Sequence, residues 1–99
     1  MLMREGVILA GLQPEMRIVK KHADRIWKKH GERCVITSAV DREHSPGSLH
    51  PFGYALDFES KLFGGDQCEI VAQEMRDALG PKYQVFFEGD HFHVEYDPK

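Results

Sequence analysis

The spacing of apolar residues changes along the chain, and each change marks a predicted element. Pro14 suits the first turn of a helix, and Gly31 can end that helix as a left-handed cap. Basic side chains on the remaining faces indicate a solvated surface. The apolar positions between these limits recur at helical spacing, at Met16, Val19, Ala23, Ile26, Trp27 and His30.

Two later segments have the composition of strands. Cys34–Val40 is rich in β-branched residues. In Tyr54–Glu59, bulky apolar side chains alternate with small or acidic ones, as in a strand. The loop Asp41–Pro51 separates this segment from the first. The alternation puts Tyr54, Leu56 and Phe58 on one face of the second strand, and Ala55, Asp57 and Glu59 on the other.

The last third of the chain predicts a helix and a hairpin. Asp66 with Glu69 resembles a capping box, and Gly80 with Pro81 ends the apolar stripe that follows. A tight turn at Gly89 and Asp90 then joins strands at Tyr83–Glu88 and His91–Tyr96. This order predicts an α+β fold, with a small, mainly antiparallel sheet backed by two helices.

Composition narrows the class of protein. The 99 residues fit one domain, 1–99, which we expect to be a monomer. A net charge of −3 argues against a general nucleic-acid binder.

Cys34 and Cys68 lack zinc-finger spacing and indicate two buried thiols rather than a disulfide. No segment is long enough to span a membrane, and Val7–Leu12 is too short for a signal-peptide core, so we expect synthesis in the cytoplasm.

Candidate metal ligands concentrate in SLHPFGYALD, residues 48–57, and in EGDHFHVEY, residues 88–96. His91, His93 and Glu95 share one face of the last strand. If that strand neighbours the strand of Asp57, then Asp57 and His93 meet, and His50 reaches them from the loop. Two histidines and a carboxylate with one open position are the arrangement of a catalytic zinc. An HxH pair alone is weak evidence for a metal site, since single histidines are usually surface or capping groups. The prediction rests on the whole set in its order along the chain: Ser48, His50, Gly53, Ala55 and Asp57, then an acid and His93.

The two segments resemble the signatures of a peptidase family. SLHPFGYALD is similar to the SxHxxGxAxD signature of the zinc D-Ala-D-Ala carboxypeptidase and L-alanyl-D-glutamate endopeptidase family of cell-wall peptidases. DHFHVE resembles its second signature, an acid three residues before the last zinc-ligand histidine. The resemblance extends from Val35 onward, and residues 36–58 are similar to short phage-borne members. The hedgehog signalling domain is similar in fold and metal site but is much larger.

The resemblance implies a role for each site residue. It assigns zinc to His50, Asp57 and His93, and the general base to Asp90, with Glu88 as a competitor. His91 would lie beside the metal and hydrogen-bond the oxyanion or the substrate.

Two loop residues have more than one interpretation each. Arg42 corresponds to a substrate-facing arginine of the family, displaced by about one residue, or is a solvated loop residue. Ser48 binds substrate, braces the His50 loop or only forms a turn. Close approach beside the metal would explain Gly53 and Ala55.

The implied function is hydrolysis of an amide bond in peptidoglycan stem peptides by zinc-activated water. The protein would act on the cell wall if released or delivered by another protein. The first alternative is a non-catalytic zinc-binding module, hedgehog-like or from a phage tail, and the retained Asp90 and Glu88 argue against it. The second is a metal-dependent nuclease, which the negative charge and the lack of interleaved aromatic and basic residues disfavour.

Overall fold

A five-stranded mixed sheet organises the protein, for which a computed structural model describes residues 1–40 and 49–98. Its strands are β1 (Leu2–Met3), β2 (Val35–Ser38), β3 (Ala55–Glu59), β4 (Tyr83–Phe87) and β5 (His91–Tyr96). The spatial order is β1-β2-β3-β5-β4, with β1 parallel to β2 and the other neighbours antiparallel. Helices α1 (Met16–Lys29) and α2 (Gly65–Leu79) and a 3₁₀ turn (His50–Phe52) complete the order.

The predicted α+β class with two helices and the C-terminal hairpin are confirmed. The sheet is mixed because β1, which the sequence pattern did not predict, joins its edge in parallel. Both residues of β1 are exposed, so this strand has no apolar alternation from which it could be recognised.

The aromatic core lies between the sheet and the helices. Trp27 of α1 is fully buried, and its ring centroid is 5.7 Å from that of Phe58 and 5.3 Å from that of Phe92. Val71 and Met75 of α2 belong to the same buried cluster. Since alternate residues of a strand point to opposite faces, packing Phe58 and Phe92 here turns their neighbours to the other face.

Strand register then fixes which residues meet on that other face. Asp57 of β3 is the direct cross-strand partner of His93 of β5. A register shift between Ile36 and Ser38 makes Ser38, rather than Thr37, the partner of Asp57. Such a bulge opposes two residues to one and redirects their side chains.

The capping-box prediction at Asp66 is wrong. Helix α2 begins two residues earlier than that pattern implies, after the extended Gly64, and no side chain caps it. Asp66 lies within the first turn instead, where its charge still interacts favourably with the helix dipole.

Both thiols are buried, and Cys34 and Cys68 are unpaired. Burial raises the pKa of the Cys34 thiol far above its usual range. Among the described residues, no helix has the length and apolar character needed to cross a bilayer.

Candidate metal centre

Three ligand atoms converge on the sheet face opposite the aromatic core. Nε2 of His50 is 3.2 Å from Oδ1 of Asp57 and 3.3 Å from Nδ1 of His93. Nδ1 of His93 is 2.8 Å from the same Asp57 oxygen. The predicted neighbourhood of β3 and β5 and the approach of His50 are therefore confirmed, and this cluster could hold a metal ion.

The spacing of the three atoms suits a tetrahedral ion. Ligands about 2.0–2.1 Å from zinc at tetrahedral angles lie about 3.3 Å apart. Two of the three observed separations agree with this value, and the third is shorter. His50 is 2% exposed and Asp57 1% exposed, whereas His93 is 16% exposed, so the centre is closed on the His50 side and reachable past His93.

Hydrogen bonding orients the ring of His50 towards the other two residues of the cluster. Nδ1 of His50 lies 2.8 Å from the carbonyl oxygen of Ala39. Because a carbonyl only accepts, Nδ1 donates to it, and Nε2 is the nitrogen that faces Asp57 and His93. Nε2 of His50 and Oδ1 of Asp57 face each other at 3.2 Å, which requires a proton or a metal ion between them. A divalent ion meets that requirement, and so does proton sharing with His93.

The N-terminal segment holds the His50 turn in place. The backbone N–H of Gln13 donates to the carbonyl of Gly53, and its side-chain amide donates to the carbonyl of Phe52. Gly53 has φ +78°, and a Cβ there would lie 2.1 Å from the carbonyl oxygen of Gly11. The close neighbour that requires Gly53 is therefore the backbone of Gly11, and not the metal as the sequence suggested.

Electrostatics favour a charged Asp57 at this site. Burial alone would raise the pKa of Asp57, but hydrogen bonds with His50 and His93 outweigh it, so the pKa lies well below its usual range. For His93, burial acts to lower the pKa, while the hydrogen bond and charge of Asp57 raise it, with smaller contributions from Glu95 and Glu88; the net shift is upward. The face thus carries a negative field suited to a cation.

His91 lies beside the cluster with an acid on each side. Its Nε2 is 3.9 Å from Oδ2 of Asp57 and 4.0 Å from Oε2 of Glu88. Its Nδ1 is 2.5 Å from Oδ1 of Asp90, whose side chain is 80% exposed. Glu88 thus approaches the nitrogen that faces the cluster, and Asp90 approaches the opposite nitrogen. The charge of Glu88 contributes to the raised pKa of His93, whereas Asp90 is not among its causes.

Two residues that the sequence left without a role border the ligands. Oε1 of Glu95 is 3.9 Å from Nε2 of His93. The ring of Phe86, the cross-strand partner of His93, stacks on it with centroids 6.2 Å apart. Phe86 is among the exposed large apolar residues, and its alternation with the buried Val85 is the signal that could have placed it on this face.

The remaining predicted positions lie outside the described residues. Arg42 and Ser48 fall within 41–48, so their substrate-binding roles stay predictions. Comparison with known proteins adds no assignment, because no protein-family model matches the chain and no curated protein is significantly similar to it.

Proposed function

We propose that this protein is a zinc metallopeptidase that hydrolyses an amide bond in peptidoglycan stem peptides. The observation that carries the proposal is the convergence of one carboxylate oxygen and two imidazole nitrogens at distances suited to tetrahedral zinc. The resemblance of SLHPFGYALD and DHFHVE to the signatures of the cell-wall peptidases supports the substrate class. Both D-Ala-D-Ala and L-Ala-D-Glu bonds belong to that class.

The ligands would be Nε2 of His50, Oδ1 of Asp57 and Nδ1 of His93. When bound, zinc lowers the pKa of water towards neutrality and polarises a carbonyl. Three protein ligands leave one position open, as catalytic sites require. The carbonyl of Ala39 fixes the His50 tautomer, which is the outer-shell support typical of metal-binding histidines.

An acid near His91 would act as the general base. Asp90 matches the family register, whereas Glu88 lies nearer the His91 nitrogen that faces Asp57. The acid takes a proton from the attacking water and passes it to the leaving amine. Asp90 also accepts a hydrogen bond from Nδ1 of His91 and so holds the ring, and the protonated form of the ring would donate through Nε2 to the oxyanion.

Defined muropeptides provide the test. The zinc-loaded protein is incubated with a pentapeptide stem ending in D-Ala-D-Ala and with an L-Ala-D-Glu muropeptide, and the products are identified by mass spectrometry. We expect one defined cleavage, loss of activity with EDTA and recovery with zinc. The His93→Ala variant should be inactive. A wild-type protein that binds zinc but cleaves neither substrate would refute the peptidase proposal and favour a non-catalytic zinc module; cleavage of DNA instead would identify a nuclease.

A further inference from the structure

A polar cavity adjoins the metal centre on its β2 side. It encloses about 260 Å³, and His91 forms part of its wall, which links the cavity to Asp57 across 3.9 Å. The register shift in β2 brings two consecutive hydroxyl side chains into the same wall. The lining residues are all polar: Arg4, Thr37, Ser38, Lys61, Asp90 and His91.

Hydrogen-bond donors exceed acceptors in this Arg4–Lys61 cavity. The acidic wall residue, Asp90, is already bonded to His91, and Lys61 helps to lower the pKa of Asp90 after the larger effect of His91. Within residues 1–40 and 49–98, Arg4 has one ionic neighbour, Glu59, at 3.7 Å, which is too long for a hydrogen bond. Lys61 has no ion pair with any residue in the described ranges.

Ser38 adds an independent indication of a ligand. It is only 7% exposed, and its Oγ has no hydrogen-bond partner among residues 1–40 and 49–98. Buried hydroxyls are normally satisfied, since an unmade hydrogen bond is costly. An anionic oxygen in the cavity would accept from this hydroxyl as well as from the two cations.

We propose that the Arg4–Lys61 cavity binds a free carboxylate on the leaving residue of the substrate, on the carbon that carries the leaving amine. The inference rests on the proposed peptidase function for the identity of the ligand. In both candidate bonds the leaving residue has such a group: the terminal carboxylate of D-Ala, or the α-carboxylate of D-Glu linked through its side chain.

The position of the cavity assigns the carboxylate to the leaving side. Asp90 lines the cavity, and Asp90 or Glu88 would return the proton to the leaving amine. A carboxylate one carbon from that amine is then within reach of the cavity. Phe86 lies on the β4 side of His93, away from the cations, and offers an apolar surface to the acyl part of the substrate.

The test measures binding rather than turnover. N-acetyl-D-alanine and its C-terminal amide are titrated into zinc-loaded, isotope-labelled protein, and backbone amide shifts are followed by NMR. We expect the carboxylate to shift the amides of Thr37, Ser38 and Lys61, and to bind about tenfold more tightly than the amide analogue. Arg4→Gln and Lys61→Gln should each remove most of that difference. Lys28→Gln, at an exposed lysine of α1, is the matched control and should keep it.

Three results would overturn the proposal: equal affinity for the carboxylate and the amide, no binding of the carboxylate, or affinity unchanged in both cavity variants, which would place the carboxylate on the metal. Cleavage is scored separately on the muropeptides. Carboxylate binding without cleavage would refute the peptidase proposal while supporting the cavity assignment. Cleavage without a preference for the carboxylate over the amide analogue would support the peptidase proposal and refute the cavity assignment.

Discussion

Zinc should stabilise the fold strongly, and His93→Ala should remove most of that effect. The three ligand atoms lie within 3.3 Å of one another, and His93→Ala removes one of them together with its contact to the buried Asp57 carboxylate. Metal that binds only the folded state adds about 4 kcal/mol when free zinc exceeds its dissociation constant by a thousandfold. For a domain of this size, each kcal/mol raises the melting temperature by about 4–8 °C, so zinc should raise it by about 16–32 °C.

The zinc-induced shift expected for His93→Ala follows from the same relation between zinc affinity and stability. Outer-shell changes weaken metal binding by about 10- to 100-fold, so loss of a direct ligand should cost at least about 100-fold. At the same free zinc, the stabilisation then falls to about 1.4 kcal/mol and the shift to about 6–11 °C. The assay compares melting by circular dichroism with EDTA and with buffered zinc, together with metal content after dialysis.

His22→Ala is the matched control for this experiment. His22 lies on α1, where its Nδ1 contacts Arg25 rather than the metal centre. The control should therefore keep the full zinc shift. If His93→Ala shows the same zinc shift and zinc content as the wild type, His93 is not a ligand and the proposed centre is wrong.

Three further predictions concern the base, the His50 turn and the thiols. Asp90→Asn or Glu88→Gln should reduce the rate of muropeptide cleavage by about a hundredfold or more, with little change in the zinc-induced rise of the melting temperature. Full activity in both variants would exclude an acid at these positions as the base. Gly53→Ala should lower the unfolding free energy by about 3 kcal/mol or more in urea melts, because it combines a left-handed φ with the clash against Gly11. Gly31→Ala, with the same φ of +78° and nothing within 4 Å, should cost only about 1–2 kcal/mol, and equal losses would contradict the clash argument. Thiol titration without reductant should find two groups in denaturant and almost no reaction in the native state, because both cysteines are buried; finding none in denaturant would reveal a disulfide.

The sequence predicted the meeting of Asp57 and His93 because both residues lie on strongly patterned strands. In β5 the polar His91 and His93 alternate with the buried Phe92 and Val94, so the pattern alone determines which side chains share a face. Helix α1 was equally predictable, since its apolar positions Met16, Val19, Ala23, Ile26 and Trp27 are all buried.

The residues that the sequence did not reveal act through contacts between distant segments. Arg4 and Lys61 are ordinary surface cations by pattern, and Arg4 reaches the cavity that Lys61 also lines because β1 pairs with β2 in parallel. Gln13 braces residues about 40 positions away, which no local periodicity encodes. Ser38 offered a weak signal as a polar residue in an apolar strand, but its direction depends on the bulge.

Two of the three proposed ligands are positioned by the aromatic core, and the third by loop contacts. Slipping β5 by one residue against β3 would expose Phe92 and bury His93 against Trp27, so core packing fixes the Asp57–His93 pair whether or not metal is bound. His50, by contrast, is held through the Ala39 carbonyl and the Gln13 contacts to its turn. Metal binding energy should therefore go mainly into ordering the His50 turn and its neighbours rather than into forming the sheet. The sheet should survive metal removal, while amide hydrogen exchange should accelerate first in residues 49–54 and in the segment around Gln13.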